Sequence, residues 1–282
     1  MEIYKLTFKD IMSEEVLFYD PNQEDYCKKI SQGWNINFLP DPDQRHFHVW
    51  GEHKKKFTDK RKIDSDRVLL EGSYIFKQQN LDIFKAEEKN SKELHDVAFV
   101  FKSWDGKIDN DNFPTDPISG IVHICDYNHK AVLIALYKDL LVFENNVRRY
   151  LFDLIGRDKK EADRISIEQD VGPEGINKEQ VKILGPFQTT YLFKLIKYCV
   201  KFKGKELGFL EEPLKSINGL RKRVAHFKDP VTQQNLELSE KSSNIYNFDS
   251  LEIFFHHIHI FEKAYLTLEN RIKLKDFISP EK

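Results

Sequence analysis

From residue 128 onward the apolar residues of this chain fall into step. Leu133, Leu136, Leu140, Phe143, Val147, Leu151 and Leu154 recur at intervals of three and four. That spacing puts them on one face of an α-helix. A stripe of this length has to be covered by other helices, so it commits the second half of the chain to a helical bundle. Asn128 is placed to cap the helix and Gly156 to end it. Residues 157–187 are polar, with Gly and Pro, and read as a loop with short helical pieces. A second helix is expected over 188–203, stopped by Gly204. A third is expected over 212–227, with Pro213 in its first turn and Asp229-Pro230 beyond it. The last runs over 249–275, its stripe formed by Leu251, Phe254, Ile258, Phe261, Tyr265, Leu268 and Ile272, with Asp249 or Ser250 as its cap.

Residues 1–128 have a different texture. Val97-Ala98-Phe99-Val100-Phe101 and Gly120-Ile121-Val122-His123-Ile124 read as buried strands between turn residues. Residues 22–32 and 80–93 read as helices. The expectation is α+β: an α/β module over 1–128 and an all-α bundle over 129–282. Residues 51–66, with Lys54-Lys55-Lys56, read as a solvated loop that is also able to meet a phosphate.

Composition narrows the class. Hydrophobic residues make up 40% and charged residues 32%, a globular balance with Phe in abundance. No apolar run approaches the ~20 residues of a membrane span, and no basic-then-apolar leader opens the chain. Cys27, Cys125 and Cys199 are too scattered for a disulfide frame or thiolate zinc site, which suits a cytoplasmic protein. Residues 1–128 hold 18 Lys/Arg against 24 Asp/Glu, and residues 129–282 hold 26 against 22. The second half therefore leans toward a polyanion such as RNA.

The polar groups with chemical potential lie in Leu220-Arg221-Lys222-Arg223-Val224-Ala225-His226. RNA can be cut by its own 2′-hydroxyl without a metal. That needs a proton carrier near neutral pH, which His226 supplies, and a cation for the charge growing on phosphorus, which Arg221 supplies. Five residues along a helix turn about 500°, leaving the two side chains ~140° apart. A break at His226 or a facing second copy would bring them together, so the chemistry implies a homodimer with a shared cleft. The structural alternative is an Arg and His that serve a helix end.

This segment resembles the Arg-x4-6-His motif of HEPN domains, with Leu before the Arg and Val-Ala before the His. Glu144 and Arg148, in Phe143-Glu144-Asn145-Asn146-Val147-Arg148-Arg149, resemble the Glu-x3-Arg pattern of the HEPN first helix. The likeness covers roughly 130–275. It implies a metal-independent endoribonuclease of toxin or antiphage type, with Arg221 and His226 catalytic and Glu144 and Arg148 an auxiliary pair at the cleft. Otherwise Glu144 and Arg148 are a surface pair one turn apart. Lys222 stands where Asn or Asp is common, which leaves a binding-only domain open. Lys222 and Arg223 are then candidate RNA contacts.

The stretch Ile118-Ser119-Gly120-Ile121-Val122-His123-Ile124-Cys125-Asp126 resembles the closing strand of a CBS domain. Ile11-Met12 and Trp34–Pro40 resemble the opening of a first, degenerate copy. The resemblance implies a regulatory ligand, an adenine nucleotide, with Asp126 at the ribose and His123 where Thr or Ser is usual. The alternatives are a helix-capping role for Asp126 and a neutralising protein as the partner of residues 1–128. No cofactor or metal is required by this chemistry. His46 and His48 alternate without an acid in register, and His256 and His259 read as polar-edge residues of the last helix.

Overall fold

Two three-stranded sheets are built from the described residues of the first half. The computed structural model describes residues 1–34, 38–51, 56–63, 68–85, 97–102, 117–156, 160, 186–225, 245 and 247–278. Strands β1 (Phe38–Pro40), β2 (His46–Gly51) and β3 (Lys56–Lys62) form an antiparallel meander. The loop expected over 51–66 is thus a strand for much of its length. Its alternation was hidden because Phe57 is the only apolar residue in β3. A charged strand at a sheet edge resists pairing with other chains, and β3 lies at the edge.

The second sheet has the order β4 (Val68–Leu70), β5 (Val97–Phe101), β6 (Ile118–His123). β4 runs parallel to β5, and β6 antiparallel to it. All of β5 is buried, whereas β6 alternates buried and half-buried residues. Phe38 and Phe47 of the first sheet share a core with Val97, Phe99, Phe101 and Ile118 of the second. The ring of Phe99 lies 6.0 Å from those of both Phe38 and Phe47. Gly120 is needed for close approach: a Cβ there would sit 2.7 Å from Met12 Sδ and 2.8 Å from the Ser13 carbonyl oxygen. Ser13 and Ile121 exchange backbone hydrogen bonds at 2.9 and 3.1 Å. Helices α1 (Glu24–Trp34) and α2 (Gln78–Asp82) accompany the sheets. The helix expected over 80–93 is a short one starting earlier, and residues 86–93 lie outside the described residues.

The remaining described elements are helical. Among them are α3 (Lys130–Leu151), α4 (Pro186–Thr189), α5 (Leu192–Lys203), α6 (Gly208–Glu211), α7 (Leu214–Ala225) and α8 (Phe248–Ile278). The α3 stripe is buried as its period requires, from Leu133 through Leu151, and Phe143 packs edge-on against Phe261 of α8. A π-helical turn, Phe152–Gly156, extends α3. Gly156 lets the rings of Phe152 and Phe187 close in, because a Cβ there would meet Phe152 at 2.5 Å. The helix expected over 188–203 is interrupted at Thr190 and Tyr191, and Gly204, at φ +55°, ends α5.

Two expected caps are replaced. Asn128 does not cap α3; His129 does, its Nδ1 accepting from the Ala131 amide at 3.3 Å. Asn128 instead reaches across the chain. Its amide nitrogen donates to the Ile245 carbonyl at 2.7 Å, and its oxygen accepts from the Ile245 amide at 2.9 Å. At α8 the cap is Asn247, neither Asp249 nor Ser250. Asn247 Oδ1 accepts from the Ser250 amide at 2.9 Å, and Ser250 Oγ accepts in return from the Asn247 amide at 3.1 Å.

The chain divides into a sheet-bearing unit, Glu2–Leu133 with Asn244–Phe255, and a helical unit, Ile134–Ser243 with His256–Lys282. The start of α8 belongs to the first for visible reasons. Asn128 holds Ile245, and Phe254 and Phe255 pack against Phe76, with Phe255 also on Tyr127. None of the described helices is long and apolar enough to cross a membrane.

Candidate functional site

In the helical unit, α3 and α7 bring together three of the residues singled out from sequence. Glu144 and Arg148 lie one turn apart on α3, and Arg148 Nη2 donates to Glu144 Oε1 at 2.5 Å. The second carboxylate oxygen of Glu144 lies 3.3 Å from Arg221 Nη2 of α7. One carboxylate therefore joins two guanidinium groups and leaves the trio with one net positive charge. This is not a pairing on open surface. The side chains of Glu144 and Arg148 are 22% and 18% exposed, while Arg221 keeps 40%.

Arg148 has further work. Its Nη1 donates to the carbonyls of Phe187 at 2.9 Å and Thr190 at 2.8 Å. These carbonyls flank the interruption between α4 and α5, where helix bonding is broken and acceptors are left over. A planar fork serves a carboxylate and two carbonyls at once, which an ammonium group does less well. Backbone acceptors carry no side-chain signature, so this anchoring was not legible beforehand. Thr190 is itself buried, and its hydroxyl has no hydrogen-bond partner among the described residues.

The other members of the Arg–His element part company. Lys222 is exposed. Arg223 is half-buried, and burial pushes its guanidinium down to about 10. It lies near His257 of α8, whose ring also sits 3.1 Å from where a Cβ on Gly219 would be. Burial holds the His257 ring below its ordinary value, and the charges of His256 and Arg223 act in the same direction. Of the two expected phosphate contacts, Lys222 faces water and Arg223 lies deeper. His226 lies outside the described residues.

In the sheet-bearing unit, Asp126 and His123 close a 3₁₀ turn, Ile124–Asn128, between β6 and α3. Asp126 Oδ2 accepts from the His123 amide at 2.7 Å, and His123 Nδ1 accepts from the Cys125 amide at 3.2 Å. This is the capping role weighed for Asp126 from sequence. Burial pushes its carboxyl up to about 6, against the lowering effect of the His123 amide.

Two histidines depart from expectation. His46 and His48 do have acidic partners: His46 Nδ1 lies 2.7 Å from Asp43 Oδ2, and His48 Nε2 lies 2.7 Å from Asp41 Oδ2. The acids come from the turn before β2, and strand register alone could not reveal them. Lys60 of β3 bridges both, at 3.0 Å from Asp41 and 2.8 Å from Asp43. Burial would raise the two carboxyls, but hydrogen bonds from Lys60, the histidines and nearby amides hold both below the ordinary range. Among the described residues no three His, Cys, Asp or Glu side chains are grouped to hold a metal ion.

No family model, curated protein or solved structure matches this chain.

Proposed function

We propose that this chain is a metal-independent endoribonuclease that acts as a homodimer, with Arg221 and His226 as its catalytic pair. The observation that carries the reading is the carboxylate of Glu144 joining Arg148 and Arg221 in a partly buried cluster. Such a cluster tethers one nitrogen of the Arg221 fork while leaving part of the fork open to solvent. A preorganised cation of this kind suits the charge that builds on a phosphorane.

The reaction follows from the groups. His226 takes the proton of a ribose 2′-hydroxyl as that oxygen bonds to phosphorus. The bond from phosphorus to the 5′-oxygen breaks, and that oxygen takes a proton from an acid, the second His226 of the dimer. The products are a 2′,3′-cyclic phosphate and a 5′-hydroxyl. The test is cleavage of end-labelled RNA by the purified protein with and without chelator. Cleavage should survive the chelator and be lost in Arg221→Ala and in His226→Ala. Undiminished cutting by both variants would sink the assignment.

A second reading has an observation in its favour. Arg221 already shares a carboxylate with Arg148, so part of its charge is offset. On that reading the HEPN-like bundle dimerises and binds RNA or a protein without cutting. A protein that binds RNA tightly and cleaves no tested RNA would support it. Residues 1–128 would act as the regulatory part in either case, toward an adenine nucleotide or a neutralising protein. Mass spectrometry of small molecules that co-purify separates the two.

A further inference from the structure

Residues 186–205 contain five lysines and no Asp or Glu. Most of this stretch is α5, whose sequence LFKLIKYCVKFK has four lysines. At 100° per residue, Lys194, Lys197 and Lys201 fall within about 60° of one another around the axis, and Lys203 falls on the far side. All three are exposed. Along the axis they are spaced by roughly 4.5 and 6 Å. The opposite face of α5 is buried through Leu192, Leu195, Ile196 and Cys199.

Aromatic rings underlie the row. Lys197 Nζ lies 5.9 Å from the centre of Phe193, and Lys201 Nζ lies 5.1 Å from that of Tyr198. Contacts of this kind hold an ammonium over a ring face and restrict its stem. At the head of the row stands Tyr191, 55% exposed. The residue before it, Thr190, gives its carbonyl to Arg148, which is paired with Glu144 and through it with Arg221. Tyr191 therefore stands one residue, and Lys194 four residues, from the Thr190 carbonyl held by the cluster that pairs with Arg221.

An ordinary solvated face mixes signs, as α8 does with Glu252, Glu262, Lys263, Glu269 and Arg271. The sequence of α5 itself carries no acid. A single-signed row beside an exposed aromatic is what a flexible phosphate polymer recognises: cations track its backbone and a ring stacks a base. A lipid surface fits less well, because the apolar face of α5 is already spent on the core and has nothing to insert.

We propose that the outward face of α5, formed by Lys194, Lys197 and Lys201 with Tyr191 at its head, binds the backbone of single-stranded RNA and leads it to Arg221. This rests on the reading of RNA as the partner, and it adds a surface outside the Arg–His element.

The test is binding of a fluorescent single-stranded RNA by the full chain, followed by anisotropy over a range of KCl concentrations. Replacing the three lysines together (K194Q, K197Q, K201Q) should flatten the slope of log affinity against log salt by about 2, since each contact to a single strand contributes ~0.7. Y191A should weaken binding by roughly 5-fold or more with no change in slope. K203Q, on the far side, should change neither, and circular dichroism confirms that each variant is folded. An unchanged slope in the folded triple variant overturns the surface, even if the wild type cuts RNA and the catalytic reading stands. A flattened slope in a protein that cuts no RNA upholds the surface while the catalytic reading fails. A wild type that binds no RNA, or one whose lysine row serves only phosphatidylserine vesicles, overturns the surface as well.

Discussion

Glu144 Oε2 lies 3.3 Å from Arg221 Nη2, so a carboxylate on α3 pairs with a guanidinium on α7 that lies 77 residues further along the chain. The same carboxylate holds Arg148, and Arg148 holds the carbonyls of Phe187 and Thr190. Glu144 and Arg148 thus tie three helical segments together, the acid reaching α7 and the arginine reaching the α4–α5 interruption. Glu144→Gln keeps the shape and removes the charge, leaving two arginines without their shared counter-ion. Breaking a partly buried ion pair of this kind should cost about 1–3 kcal/mol, less than a fully buried one. Urea denaturation measures it, and a loss near zero would mean the cluster is loosely held.

Arg148→Lys keeps the charge but loses the fork. Two carbonyls and one carboxylate oxygen then compete for a single ammonium. The expected loss is about 1–2 kcal/mol, from acceptors left without donors. Hydrogen exchange should speed up at the start of α5, whose position those carbonyls set. Exchange unchanged there would show that the α4–α5 interruption holds itself.

Asn128→Ala removes both hydrogen bonds to Ile245, which is buried. Its amide and carbonyl are then left unpaired, at a cost of about 1–3 kcal/mol. The Ile245 amide should lose its protection from hydrogen exchange in the variant. Equal protection in variant and wild type would contradict the pairing.

Asp126 makes stability depend on pH in a defined direction. Its carboxyl stands at about 6 in the folded chain against 3.8 for the free group. The folded state therefore holds this proton more tightly than the unfolded one. Its stabilising contribution is complete below about pH 4 and is lost as pH rises through about 6, on the order of 2–3 kcal/mol. Asp126→Asn should remove that dependence. The difference in unfolding free energy between variant and wild type, followed from pH 4 to 7, should grow in favour of the variant. A constant difference would rule it out.

Gly120→Ala and Gly72→Ala form an internal contrast. A methyl at Gly120 meets Met12 Sδ and the Ser13 carbonyl below 3 Å, whereas one at Gly72 meets nothing within 4 Å. The first should lower the melting temperature through a loss of roughly 1–3 kcal/mol by overpacking. The second should change stability by less than about 0.5 kcal/mol. Thermal unfolding followed by circular dichroism reads both.

Periodicity by itself determined the long helices. The α3 stripe from Leu133 to Leu151 and the α8 stripe from Leu251 to Leu268 are buried as written, because a 3.6-residue repeat leaves a helix one face to hide. Strands β5 and β6 were equally plain from their apolar runs. Arg221, Glu144 and Arg148 stood out through the resemblance of their motifs to HEPN patterns, since spacing alone reads them as a helix-end arginine and a surface pair. Tertiary structure alone decided what those residues touch. Asn128 looked like a cap because caps are local, yet its partner is Ile245, whose backbone offers the same amide and carbonyl as any other residue. β3 looked like a loop because Phe57 is its only apolar side chain. Its place comes from backbone pairing with β2, which is blind to side-chain type. The acids that meet His46 and His48 lie in a turn, and only the path of the chain brings them round. Nothing in the sequence pairs Glu144 with Arg221, 77 residues apart. Their meeting depends on α3 and α7 being packed, which is set by the apolar faces on the other side of each helix.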